Sequence, residues 1–124
     1  MLQHRSILNI ADNTGAKKVM LIGIPKQGNK RFAYVGDVIN VVVKEAVPYA
    51  QVKKGEILQA IIVRTKKEKR RSDGSYIRFD DNACVILLDK NNKDPKGTRV
   101  FGPIAKEVKD AGFNKIASLA EEIY

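Results

Sequence analysis

Along this chain the apolar positions come in short runs divided by turn formers, and the period changes only near the end. Leu2 to Ala11 predicts a first strand, with Leu8 and Ile10 alternating about Asn9, although Ile7 beside Leu8 breaks the pattern. Asp12-Asn13-Thr14-Gly15 is dense in turn formers. Val19-Met20-Leu21-Ile22-Gly23-Ile24 suits a strand buried on both faces or lying on a barrel wall. A polar, basic loop, PKQGNKR, runs from Pro25 to Arg31. Phe32-Ala33-Tyr34 can continue a strand, and Val35-Gly36-Asp37 is a turn. Val38 to Ala46 is the most β-branched run in the chain, so strand is favoured over helix. Pro48 closes it, and a basic turn at Val52–Glu56 reverses at Gly55.

The stretch from Ala60 to Leu88 starts apolar, turns strongly basic, reverses at Asp73-Gly74 and returns apolar. Asp-Gly between strand-like arms is a strong hairpin signal, because both central residues of a type I′ turn need positive φ. Taken as a two-residue loop, it sets a register. Arg71 faces Tyr76, Lys69 faces Arg78, Lys67 faces Asp80, Lys66 faces Asp81, and Val63 faces Cys84. At the base, Ile61 meets Ile86 and Ile62 meets Val85. Lys69 and Arg78 are then directly opposed like charges, which disfavours the isolated hairpin. A polyanion neutralising the tip resolves that conflict.

The last quarter changes character. Gly102-Pro103 precedes IAKEVKDAG, in which Ile104, Val108 and Ala111 recur at helical spacing, Pro103 suits the first helical position and Gly112 the stop. Asn114 can cap a second short helix with Ile116, Leu119, Ala120 and Ile123 on its apolar side. Many short strands followed by two short helices predict a mainly β domain. The expected fold is a small β-barrel or sandwich, with closure into a barrel removing exposed edges.

Composition sharpens this picture through charge. The chain has 124 residues, a formal net charge of +9 and a pI of about 9.7. Arg64, Lys66, Lys67, Lys69, Arg70 and Arg71 supply six positive charges against Glu68, so one segment holds +5 of the +9. Charge this localised points to a binding surface. Further cations, Lys17, Lys18, Lys26, Lys30, Arg31, Lys53 and Lys54, fall in or beside predicted turns, where long side chains reach phosphates. Aromatic residues are few, and Phe79 belongs to an apolar pattern. Shape and backbone contact with folded RNA is expected, not stacking on single strands.

Little argues for catalysis. His4 is the only histidine and Cys84 the only cysteine, so neither a nucleophilic pair nor a metal set is supplied. Cys84 reads as a small buried hydrophobe. Asp80 and Asp81 point to opposite faces of a strand and cannot pair as acid and base. No phosphate-binding glycine loop is present. The loop from Asp89 to Gly97 places Val100 where a calcium loop needs a bidentate glutamate. No cofactor is expected. No apolar run approaches membrane-spanning length, and the first residues lack a signal or transit pattern, so a soluble protein working where it is made is expected. On the C-terminal helices, Lys106, Lys109, Lys115, Glu107 and Glu121 mix with small residues (Ala117, Ser118, Ala120) that allow a partner to approach closely.

Ala60, Ile61-Ile62-Val63, a nine-residue spacer, Asp73-Gly74, Phe79, Asn82 and Val85-Ile86 form an ordered pattern. It resembles the signature of the universal large-subunit ribosomal protein L-fourteen family. LNIADNTGAKKVM, YVGDVI, KEAVP, VKKGE, GTRVFGPIAKEV and FNKIASLAEEI also resemble family blocks in the family's order, over essentially the whole chain. The type resembles bacterial or bacterial-derived organellar members. The departures are Ser72 in place of a common Pro and a longer, more basic loop from Asp89 to Lys96.

The resemblance implies one domain over 1–124. Residues 1–101 would form a five-stranded β-barrel with a projecting basic hairpin over 60–88, and 102–124 a helical C-terminal region. It implies a non-enzymatic structural constituent of the large ribosomal subunit that binds large-subunit rRNA and helps form bridges to small-subunit rRNA. The RNA-binding set is then Lys17, Lys18, Lys30, Arg31, Lys53, Lys54, Arg64, Lys66, Lys67, Lys69, Arg70, Arg71 and Arg78. Implied partners are the third and nineteenth proteins of the bacterial large-subunit series and the ribosome silencing factor, whose docking surface matches Thr98, Arg99, Lys115 and Ser118. The implied location is the ribosome, in the cytoplasm or in an organelle matrix. The alternative, from a different class, is a free RNA-binding translation factor or RNA chaperone of small-barrel type.

Overall fold

A computed structural model describes residues 2–25, 32–89 and 92–124. In chain order the elements are β1 (Ile7–Ile10), β2 (Ala16–Gly23), β3 (Val38–Ala46), β4 (Ile57–Arg64), β5 (Lys69–Arg70), β6 (Tyr76–Ile77), β7 (Ala83–Ile86), β8 (Pro103–Ile104), α1 (Lys106–Asp110), α2 (Asn114–Leu119) and β9 (Glu122–Ile123). Strands β1-β2-β3-β4-β7 close into a five-stranded barrel. The neighbours are antiparallel except β1 with β7, which run parallel. Closure leaves the barrel no open edge.

The pattern of side chains explains the barrel. Ile39, Val41 and Val43 of β3 alternate inward and meet Leu8, Val19, Leu21, Ile62, Cys84 and Ile86 in the interior. Strand β2 alternates too, with Val19 and Leu21 inside and Ile22 outside, so it is a barrel wall with one buried face. Strands β4 and β7 differ: Ala60 to Val63 and Ala83 to Ile86 are buried on both faces. Ile61, Val63, Ala83 and Val85 point out of the barrel into a second core with Ile104, Val108, Phe113 and Ile116. The C-terminal elements therefore cover this part of the wall, which is why these two strands read as continuous apolar runs. Cys84 lies fully buried, and burial pushes its thiol far above the usual range.

Several boundaries differ from the expectation. The first strand starts at Ile7, because Arg5 takes a φ of +71°; Leu2 instead forms an isolated bridge to Ala33, so Phe32 to Tyr34 adds no full strand. Pro103 does not begin a helix. It pairs in β8, which lies parallel to β9, and α1 begins three residues later at Lys106. Asn114 is the first helical residue of α2, the N-cap position being Phe113, with no side-chain cap bond. Ile123 leaves the helix altogether and lies in β9, 40% exposed.

The hairpin register also shifts. Lys69 faces Ile77 and Arg70 faces Tyr76, while Ile61 faces Val85 and Ile62 faces Cys84. The turn explains this. The Gly74 N–H donates to the Arg71 carbonyl at 3.0 Å, and the Arg71 N–H donates to the Ser75 carbonyl at 2.8 Å. Gly74 has a φ of +89°, whereas Asp73 is not among the positive-φ residues. This is a three-residue loop with a glycine bulge, not a type I′ turn. The Asp73 side chain accepts from the Ser75 N–H and hydroxyl, which holds its carboxyl below the usual range. The opposed pair Lys69 and Arg78 does not form.

Candidate nucleic-acid interface and C-terminal face

Strands β5 and β6 leave the barrel as a separate two-stranded ribbon. Its cations divide into two kinds. Arg64, at the foot, has an 11% exposed side chain. Its Nε donates to Asp81 Oδ1 at 2.9 Å, and its Nη1 donates to the carbonyls of Phe101 and Pro103 at 2.9 and 3.0 Å. Arg71, near the tip, forks onto Glu107 of α1, with Nη2 to Oε1 at 2.9 Å and Nε to Oε2 at 3.3 Å. It also donates to the Tyr124 backbone oxygen at 2.6 Å. Lys69 approaches the same Glu107 at 3.9 Å. Burial opposes the charge on Glu107, yet the Arg71 hydrogen bonds and the two nearby cations hold its carboxyl below the ordinary range. Two-pronged guanidinium–carboxylate contact combines charge with fixed geometry, so the ribbon tip is tied down to the C-terminal region. The cleft between them measures about 330 Å³.

The expected partners of Asp80 and Asp81 are corrected accordingly. Asp81 belongs to Arg64, not Lys66, and Lys67 pairs on the surface with Glu68 at 3.2 Å, not with Asp80. Among the described residues Lys66 is held through its backbone, whose N–H donates to Asn82 Oδ1 at 2.8 Å. Lys66, Lys67, Arg70 and Arg78 all present exposed side chains.

A second basic group lies at one end of the barrel. Lys17 and Lys18 are exposed at the start of β2, with Lys18 opposite Glu45 in the register. Lys53 and Lys54 are exposed on the turn before β4, which the Lys53 N–H pins by donating to Glu56 Oε2 at 3.0 Å. None of these four pairs with a carboxylate among the described residues. Lys30 and Arg31 lie outside the described residues.

The predicted protein-contact residues gather around the outer core. Asn13 holds the segment before Val100: its Oδ1 accepts the N–H groups of Thr98 and Arg99 at 2.8 and 3.1 Å, and its Nδ2 donates to the Thr98 hydroxyl at 2.8 Å. Lys115 and Ser118 are exposed on α2, the Ser118 hydroxyl donating to the Lys115 carbonyl at 2.8 Å. Val100, next to Arg99, and Ile116, next to Lys115, both belong to the outer core. Ala117, expected on the outer face, is instead buried, and Glu107 is taken up by Arg71.

The sequence reading missed Asp12. It is buried, and burial pushes its carboxyl above the usual range although Thr14 and the Ile86 N–H donate to it. It ties the first turn to β7. No group of His, Cys, Asp or Glu able to hold a metal ion occurs among the described residues. No helix among them is long and apolar enough to cross a membrane.

A closed barrel with a basic ribbon and a helical cap agrees with what sequence comparison finds. The family model of ribosomal protein L14p/L23e matches residues 1–124. The chain belongs to that family. The L14p/L23e assignment makes it a structural, non-enzymatic ribosomal protein of the large subunit, located within the ribosome. Two similar curated proteins are the large ribosomal subunit protein uL14 of Aquifex aeolicus (strain VF5) and that of Aquifex pyrophilus. They are 59% and 58% identical over 123 residues, covering 99% of this chain and 99% of each relative.

Proposed function

We propose that the protein holds large-subunit rRNA by neutralising phosphates with the cations its own carboxylates leave free. These are Lys17, Lys18, Lys53 and Lys54 at the barrel end, and Lys66, Arg70 and Arg78 on the ribbon; Lys67 shares only the exposed Glu68 and joins them, and Lys30 and Arg31 are added from the sequence alone. Arg64, Lys69 and Arg71 act mainly by fixing the ribbon against the C-terminal region. The observation that carries this reading is the division between cations with and without an internal partner. An exposed lysine keeps its full attraction for a phosphate and releases a counterion on binding. Small-subunit rRNA at intersubunit bridges is the second proposed RNA partner.

The face around Thr98, Arg99, Lys115 and Ser118 is proposed to serve proteins. Its occupants would be the ribosome silencing factor and, nearby, the third and nineteenth proteins of the large-subunit series. The proposed compartment is the cytoplasm. Sedimentation tests the structural role: the protein should stay with large subunits through a high-salt wash. Complete release into the supernatant would favour a free RNA-binding factor instead.

A further inference from the structure

Tyr49 stands out as a side chain the fold has no use for. It is fully exposed, and its φ is +65°. Pro48-Tyr49 forms the centre of a turn whose second position takes positive φ, a place usually filled by glycine or asparagine. A bulky residue there is an outlier that strains the backbone, and full exposure returns no burial in compensation.

The loop is nevertheless firmly built. The Val47 N–H donates to the Gly15 carbonyl at 2.9 Å and the Gln51 N–H to the Thr14 carbonyl at 3.0 Å. Ala50 packs so closely on Gly15 that a Cβ added at Gly15 would lie 2.4 Å from its own, and Val52 is buried beneath. A strained aromatic is thus held outward on a rigid mount. Flanking it in sequence and along the β2–β3 register, Lys17, Lys18, Lys44, Lys53 and Lys54 outnumber Glu45 and Glu56, and all seven are exposed.

We propose that Tyr49 is a stacking platform for an unpaired base of RNA, with Lys53 and Lys54 on the flanking phosphates. An exposed aromatic face beside cations is the arrangement that receives a base together with its backbone. This rests on the RNA-binding reading and changes one part of it: contact at this end is to an unpaired nucleotide as well as to backbone.

The test compares wild type, Tyr49→Phe and Tyr49→Asn against two short RNA duplexes, one fully paired and one carrying a single unpaired adenosine. Wild type and Tyr49→Phe should prefer the bulged RNA. Tyr49→Asn should lose that preference, with affinity for the bulged RNA falling about 5- to 150-fold, while its melting temperature stays equal or rises because Asn tolerates positive φ. Ultraviolet irradiation of assembled large subunits should give a nucleotide adduct on the Tyr49 peptide. The proposal is overturned if Tyr49→Asn keeps the wild-type preference, if Tyr49→Phe loses as much as Tyr49→Asn, or if the adduct joins Tyr49 to a protein. Salt-dependent binding of both RNAs without preference would overturn the stacking site alone. Salt-independent or absent binding would remove the RNA reading with it.

Discussion

The ribbon and the β2–β3 end of the barrel are both basic, yet they use their charge differently. The ribbon holds the densest cation run in the chain, but two of its arginines are turned onto partners within the fold. Arg64 is bound to Asp81 and two carbonyls, and Arg71 is forked onto Glu107. At the barrel end, Lys17, Lys53 and Lys54 are fewer and have no carboxylate partner among the described residues. The lesson is that positive charge counted along a sequence is not positive charge offered to a ligand. A cation held by a partly buried carboxylate is already partly neutralised and fixed in place, while a lone exposed lysine on a pinned turn is not.

The largest expected effect that would break this contrast is at Arg64. Arg64→Ala leaves two carbonyls without their donor and Asp81 with only the Asn9 amide, and should cost about 2–3 kcal/mol in urea unfolding. Lys53→Ala or Lys54→Ala should stay within about 0.5 kcal/mol of wild type. Next, Glu107→Gln should cost about 1–2 kcal/mol by weakening the charged fork. It should speed amide exchange at the ribbon tip, without weakening RNA binding, since it frees Lys69 and Arg71.

The same pair has a pH signature. Because the Glu107 carboxyl is lowered in the fold, its stabilisation is fully present above the ordinary glutamate value of about 4.3. It is lost as pH falls through the lower native value, and amide exchange in α1 and at the ribbon tip should rise in that window. The smallest effect is at the turn. Asp73→Ala removes only the two Ser75 contacts and should leave the melting temperature close to wild type, with the ribbon register unchanged by NMR.

Much of the fold was legible because it rests on local chemistry. The β-branched run from Val38 to Ala46 became β3, and the apolar base of the hairpin became the barrel wall in β4 and β7. The motif order from Ala60 to Ile86 identified the family, and family-model matching agrees. What escaped was set by distance or by one residue of turn geometry. Glu107 lies 36 residues from Arg71, and no spacing rule links them. Asp-Gly is compatible with loops of two or three residues, and the bulge at Gly74 moved the ribbon pairs by one. Pro103 follows Gly102 as a helix start would, but pairing with β9 drew it into a strand. Asp12 read as a turn former, and only the closing of β7 beside it revealed a buried carboxyl.

The most direct measurement compares two variants that each remove two positive charges: Lys53→Ala with Lys54→Ala, and Lys69→Ala with Arg71→Ala. The readout is the slope of log affinity for large-subunit rRNA against log salt. Removing the two unpartnered lysines should flatten that slope by about 1.5–2 units, as expected for two lost phosphate contacts. Removing the two cations already held by Glu107 should change it by under about half a unit. Equal flattening in both variants, or a larger loss from Lys69 and Arg71, would contradict the division between structural and RNA-facing cations.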